Sequence, residues 1–315
     1  MIKFLKDWTL PVAIALGTII YLTFYFLPAL DTTGNRLSPI IDAVFPLFVF
    51  LTLLTTFIKI DYHQLKPHKW QFGVLTSQLL LIALNVMIIK LVEDNTEQKL
   101  LWEGVLTCVI APAATAAPVV TGKLGGNIST MTMHVLMSSI LGALVIPFVF
   151  PLIEKGTGMT FFEAFAIILQ KVAMVLLLPL FLGYFIHRYL HRMRKWVTEQ
   201  RDLAFYLWCI SLTITSGITV KNIVHAEAGI MLIVSMAFAC LIVSFIQFGI
   251  GRVVGKHLGE PLNAGQAMFQ KNTALSIWVA YMYLHPVASI GAGCYVLWQN
   301  IINSIELWQH RHRKE

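Results

Sequence analysis

Lys271 lies inside a long apolar stretch, in the run Gln270-Lys271-Asn272-Thr273, with Gln266 one helical turn earlier. A lysine near the centre of a bilayer costs about 3 kcal/mol on insertion scales, so such an ammonium is expected to face a cavity, a partner or a substrate. Five of the eight positions from 266 to 273 are polar, too many for a helix face that meets lipid. Gln266 and Gln270 share one helix face. A second unusual run is Pro112-Ala113-Ala114-Thr115-Ala116-Ala117-Pro118. Each proline removes a backbone donor and crowds the preceding turn, so the helix is expected to break here. The small residues between the prolines allow another backbone to approach closely. Broken helices offer carbonyl ends to cations and N–H ends to anions. Ion coordination, anion binding and proton exchange are therefore the chemistries within reach. Gln78, His134, Gln299 and Asn300 are further polar residues in apolar surroundings that could take part. Lys171 is a second lysine within an apolar run.

The elements that must hold these residues are membrane helices. The 315 residues are 57% hydrophobic and only 12% charged, with mean hydropathy +0.73. Continuous apolar runs of about 20 residues indicate a polytopic helical membrane protein rather than a β-barrel. The net charge of +7 sits mostly between apolar runs and carries topology rather than nucleic-acid binding. Cys108, Cys209, Cys240 and Cys294 show neither a disulfide framework nor metal-ligand spacing and are read as packing residues. Lys3 and Lys6 precede an apolar stretch longer than a signal peptide's, so the first apolar run is read as a span. GxxxxGK[ST] and HExxH are absent, and no cofactor is expected.

Ten spans are expected, at about 8–30, 38–58, 70–91, 102–123, 127–153, 162–187, 203–221, 228–250, 262–284 and 287–308. With the N-terminus inside, 16 of the 23 lysines and arginines fall on the cytoplasmic side and 5 outside, the remaining two lying within spans. Both termini are therefore expected in the cytoplasm. An acidic segment containing Glu93, Asp94, Glu97 and Glu103 is assigned to an external loop. The two interrupted spans are the fourth and the ninth, each fourth in a set of five. Halves of odd helix number have opposite orientation. Paired interruptions at matching positions are the signature of an inverted-repeat transporter with a midplane site. Repeat 1 would cover about 1–155 and repeat 2 about 156–315.

The chain resembles the bile acid:sodium symporter family. The family's fourth-span motif Pro-Gly-Gly-Thr-Ala-Ser-Asn is matched here by Pro112 to Pro118. Its ninth-span motif Glu-x-x-x-Gln-Asn-Ser-Gly-Leu-Ala is matched by Ala267 to Lys271 followed by Asn272-Thr273-Ala274-Leu275-Ser276. Pro286-Val287 and Val296-Leu297-Trp298-Gln299-Asn300-Ile301 are similar to the family's tenth span, and the sixth span around Lys171 to Pro179 also fits. The resemblance implies ten spans with crossing helices 4 and 9, a core of spans 3–5 and 8–10, and a panel of spans 1, 2, 6 and 7. It also places a sodium-ligating glutamine at Gln78, here expected to contact Lys271. The departures concern sodium. The family's Ser-Asn pair is Ala117-Pro118, its ninth-span acid is Ala267 (or Gln266 with a one-residue gap), and its glutamine is Lys271, or Gln270 with that gap. Asp42, Glu163 and Glu306 are the acids nearest to span centres, and all lie towards span ends.

The expectation is a multi-pass inner (plasma) membrane protein, a secondary transporter of a small or amphipathic organic anion working by alternating access. Thr115, Ala116, Ala117, Pro118, Asn272 and Thr273 would hold the anion. Lys271 would stand in for the bound cation, with Gln270, Gln266, Gln78 and His134 around it. Proton coupling or facilitated diffusion would then replace sodium coupling. A sodium-coupled bile-acid-type symporter, a channel, or a non-transporting sensor on the same fold are the other readings.

Overall fold

The computed structural model describes residues 9–60, 65–154, 160–200, 203–226 and 228–312. Of the charges counted above, Lys3, Lys6, Lys155, Arg201, Arg313 and Lys314 lie outside the described residues, as do the side chains of Asp42 and Lys171.

The described residues form helices throughout, with one isolated antiparallel bridge and no strand. The helices are α1 (Thr9–Phe26), α2 (Asp31–Lys59), α3 (Lys69–Leu91), α4 (Thr96–Ile110), α5 (Ala117–Lys123), α6 (Ile128–Ile153) and α7 (Phe161–Tyr189). They continue with α8 (His191–Glu199), α9 (Leu203–Val224), α10 (Ile230–Leu258), α11 (Pro261–Phe269), α12 (Thr273–Tyr283) and α13 (Ser289–His312). Among the described residues, six stretches, α2 with the 3-10 turn before it, α3, α6, α7, α9 and α10, are long and apolar enough to cross a membrane. The short α8 is basic and carries His191, Arg192, Arg194 and Lys195.

Local chemistry fixes the ends. Asn95 and Asn127 accept from the backbone N–H groups of Gln98 and Thr130, each at 3.1 Å, capping α4 and α6. Thr160 and Glu163 form a capping box at the start of α7. Gly259 closes α10 with φ +96°, a backbone geometry that glycine adopts without strain.

α1 packs on α9, α2 on α7 and α9, and α6 on α7. α10 packs on α4, α11 and α13, and α3 on α4. The breaks between α4 and α5 and between α11 and α12 lie deep inside. On one side they meet Trp70, Val74, Met131, Val135 and Met268. Leu53, Phe57, Leu106, Phe150 and Val279 belong to the largest apolar cluster.

One charged residue differs from the sequence reading. Glu103, assigned above to an external loop, is fully buried within α4. It lies 3.7 Å from Lys99, which also reaches Glu154 at 2.5 Å. The acidic neighbours Glu93, Asp94 and Glu97 made a loop plausible, but the helix begins at Thr96 and turns Glu103 inward.

Candidate functional site

Two interrupted helices meet here and satisfy each other. After Ile110, the chain leaves the helix until Ala117; after Phe269, it does so until Thr273. Ala114 N–H donates to the Gln270 carbonyl at 2.8 Å, and Asn272 N–H donates to the Pro112 carbonyl at 2.8 Å. Ala113 and Lys271 thereby pair as an antiparallel bridge. Non-helical backbone is tolerated at membrane depth only where it is buried and paired in this way. Ala113 N–H also donates to Ser138 Oγ at 2.7 Å. Pro118 falls in the first turn of α5, where a missing N–H costs nothing. The close approach needs small residues: a Cβ on Gly142 would sit 3.3 Å from Pro112.

The carbonyl ends of both first halves are capped by side chains. The Gln78 amide nitrogen donates to the carbonyls of Val109 at 2.9 Å and Ala111 at 3.0 Å, at the end of α4. The Tyr295 hydroxyl donates to the Phe269 carbonyl at 2.7 Å, at the end of α11, and accepts from the Gln247 amide at 3.1 Å. Asn272 caps the second half-helix by accepting from Leu275 N–H at 3.3 Å. Ser276 Oγ donates to the Thr107 carbonyl and ties α12 to α4.

Lys271 is 1% exposed. Its backbone N–H donates to Gln299 Oε1 at 2.7 Å, and its carbonyl accepts from Gln299 Nε2 at 3.4 Å. Its ammonium makes no hydrogen bond among the described residues. His134 and Cys108 are close enough to interact with it electrostatically. His134 is fully buried and stacks on Trp70 with ring centres 5.4 Å apart; neither ring nitrogen is hydrogen-bonded within the described residues. Gln270 donates to Gln266, and Gln266 donates to the Glu306 carboxylate. Glu306 is held by Arg252 at 2.9 Å.

The structure thus gathers Thr115, Ala116, Ala117, Pro118, Lys271, Asn272 and Thr273 at the paired breaks. Gln266 and Gln270 adjoin them, joined to each other by a hydrogen bond. Gln78 departs from its expected role. It caps α4 instead of touching Lys271, because unpaired helix-end carbonyls are the nearer acceptors for its amide. Tyr295, Gln247 and Ser138 escaped the sequence reading, and Ser276 entered it only within the ninth-span match; Gln247, a glutamine in an apolar span, was the one legible hint. Cys108 and Cys240, distant in sequence, bring their sulfurs to 3.5 Å, and both are free.

Beside the start of α12 lies a small, half-open apolar cleft with room for about one water, roughly 10 Å³. Phe45 and Val49 of α2 and Val175 of α7 line one wall, and Ala274, Leu275 and Trp278 of α12 the other.

Long apolar helices around two paired helix breaks, with a cation at their junction, define a polytopic membrane protein of the transporter class. The chain belongs to the SBF-like CPA transporter family, whose model matches residues 11–301. The resemblance drawn from the fourth- and ninth-span motifs therefore holds, and the family is one of transporters rather than enzymes. A comparison with curated proteins finds no match.

Proposed function

We propose that this protein is a secondary transporter of a small or amphipathic organic anion, with the Lys271 ammonium in the place that a coupling cation takes in sodium symporters. The observation that carries the proposal is the buried ammonium of Lys271, which no acceptor among the described residues holds, at the bridge between the two breaks. An unpaired charge held in the interior costs several kcal/mol, which a resident or visiting counter-charge, or release of the proton, removes. The start of α12 at Asn272 and Thr273 offers the positive end of a helix dipole to a carboxylate or sulfate. Thr115, Ala116, Ala117 and Pro118 lie at the opposing break and supply backbone to the same site. The apolar cleft of Phe45, Val49, Val175 and Trp278 would have to widen to take the body of an amphipathic anion, as rocking of its two walls allows.

The residues do not suit sodium. Ala117, Pro118 and Ala267 bring no side-chain oxygen to the positions where the family's ligands fall. Among the described residues, a carboxylate reaches the breaks through Gln266, at Glu306, where Arg252 already pairs with it. Proton exchange at Lys271 or facilitated diffusion replaces sodium coupling in this reading.

The transporter crosses the membrane ten times as two inverted five-helix repeats, both termini in the cytoplasm. α3 to α6 and α10 to α13 form the core that carries the crossover, and α1, α2, α7 and α9 form a panel. Panel and core meet at the cleft, and rocking one against the other exposes the anion alternately to the two sides. The test is uptake into proteoliposomes with sodium and proton gradients imposed separately. The reading expects no response to sodium; strong stimulation by a sodium gradient alone overturns it.

A further inference from the structure

We propose that the C-terminal half of α13 lines a narrow hydrated path from the protein surface at His310 to the crossover at Lys271. Gln299, Asn303, Glu306 and His310 recur at intervals of four, three and four residues, which places them on one face of the helix. The opposite face is apolar and exposed, with Ile301, Ile305 and Trp308 turned outward as lipid-facing residues are. Polar residues turned inward along a membrane helix either bond neighbouring helices together or line a water-filled route.

The hydrogen bonds separate the two cases. Gln299, 2% exposed, is tied to the Lys271 backbone, and Glu306 to Gln266 and Arg252. Asn303 lies between them, 0% exposed, and neither its Oδ1 nor its Nδ2 has a partner among the described residues. A residue that bonds nothing is not gluing helices. Asn300 Oδ1, Gln270 Oε1 and His310 Nε2 are likewise buried without a partner. Buried polar atoms of this kind are ordinarily satisfied by water, which needs two to four such partners to stay. Exposure rises along the stripe, from buried Gln299 and Asn303 to partly exposed Glu306 and His310, as a route opening at the helix end requires. The charged and titratable groups along it are Arg252 of α10, Glu306 and His310, with Lys271 beyond its inner end. The path gives the crossover aqueous contact with one side of the membrane, through which protons reach Lys271. That this side is the cytoplasm, and that the protons serve Lys271, rests on the function proposed above.

The experiment labels cysteines with a charged, membrane-impermeant methanethiosulfonate in inside-out vesicles. The wild-type chain, whose own cysteines are mostly buried, gives the background. N303C and H310C are expected to react at least about tenfold faster than I305C on the lipid face, since thiolate access sets the rate. Labelling of H310C with N303C as slow as I305C overturns the path. N303D provides a second reading that does not need the cysteine variant to fold. In a hydrated slot the new carboxylate is tolerated and the protein elutes as the wild type does; collapse of N303D alongside I305D overturns the path. Uptake enters neither readout, so sodium-driven transport would defeat the proposed function and leave this result standing.

Discussion

Lys271 makes its contacts through its backbone, and its ammonium is left to something else. If the ammonium serves transport, removing it should spare or raise stability, because replacing a buried charge with an apolar group of similar length is often neutral or stabilising. Lys271→Met is therefore expected to unfold in detergent at the wild-type temperature or above, while substrate uptake falls at least about tenfold. A lowered unfolding temperature would mark Lys271 as a structural residue instead. Tyr295 makes the opposite case. Its hydroxyl holds the carbonyl end of α11, and Tyr295→Phe leaves that buried carbonyl bare, at a cost of about 1–3 kcal/mol. The expected result is a lowered thermal midpoint on a folded protein. Lys271 was legible in the sequence because a charge in an apolar run is rare and expensive. Tyr295 was not, since a tyrosine in a membrane helix is unremarkable until its hydroxyl is seen to end another helix. Gln78 was legible as a polar residue but not as a cap, because the acceptors it meets are backbone carbonyls 31 to 33 residues away.

At the scale of elements, prolines and small residues announced the first break, and clustered polar side chains the second. Both fell where the sequence placed them. What the sequence could not give was the pairing of the breaks through Ala113 and Lys271, which depends on how α4 and α11 cross. Glu103 shows the same limit: four acids in eleven positions resemble a loop, and only the onset of α4 at Thr96 turns the last one inward. The crossing demands close helix contact, and two glycines carry it. A Cβ at Gly291 of α13 would overlap the backbone of Gly104 in α4, and one at Gly251 of α10 would overlap the carbonyl of Ala264 in α11. Backbone cannot step aside as a side chain does, so Gly291→Ala and Gly251→Ala are expected to cost about 3 kcal/mol or more, at the upper end for overpacking. Gly249, with open space around it, is the control in the same helix as Gly251. Thermal scans should show both variants well below wild type and Gly249→Ala close to it.

The whole molecule turns on whether the cleft between α2, α7 and α12 opens and closes around a substrate. Phe45, Val49 and Val175 stand on helices assigned to the panel, and Ala274, Leu275 and Trp278 follow directly from the crossover. A transporter that rocks must change the distance between these walls, whereas a sensor or channel on the same scaffold need not. Filling the cleft separates these readings. Val49→Trp adds an indole to a cleft with room for about one water, leaving the sequence of the paired breaks unchanged. Val49 is buried on α2 in the apolar cluster that also holds Leu106 of α4 and Leu275 and Val279 of α12, so overpacking there is expected to cost about 1–3 kcal/mol, and a thermal scan establishes that the variant is folded. Uptake of an organic anion into proteoliposomes is expected to fall at least about tenfold, and stabilisation of the protein by that anion to shrink with it. Unchanged uptake in a folded Val49→Trp protein would show that the cleft lies off the transport route.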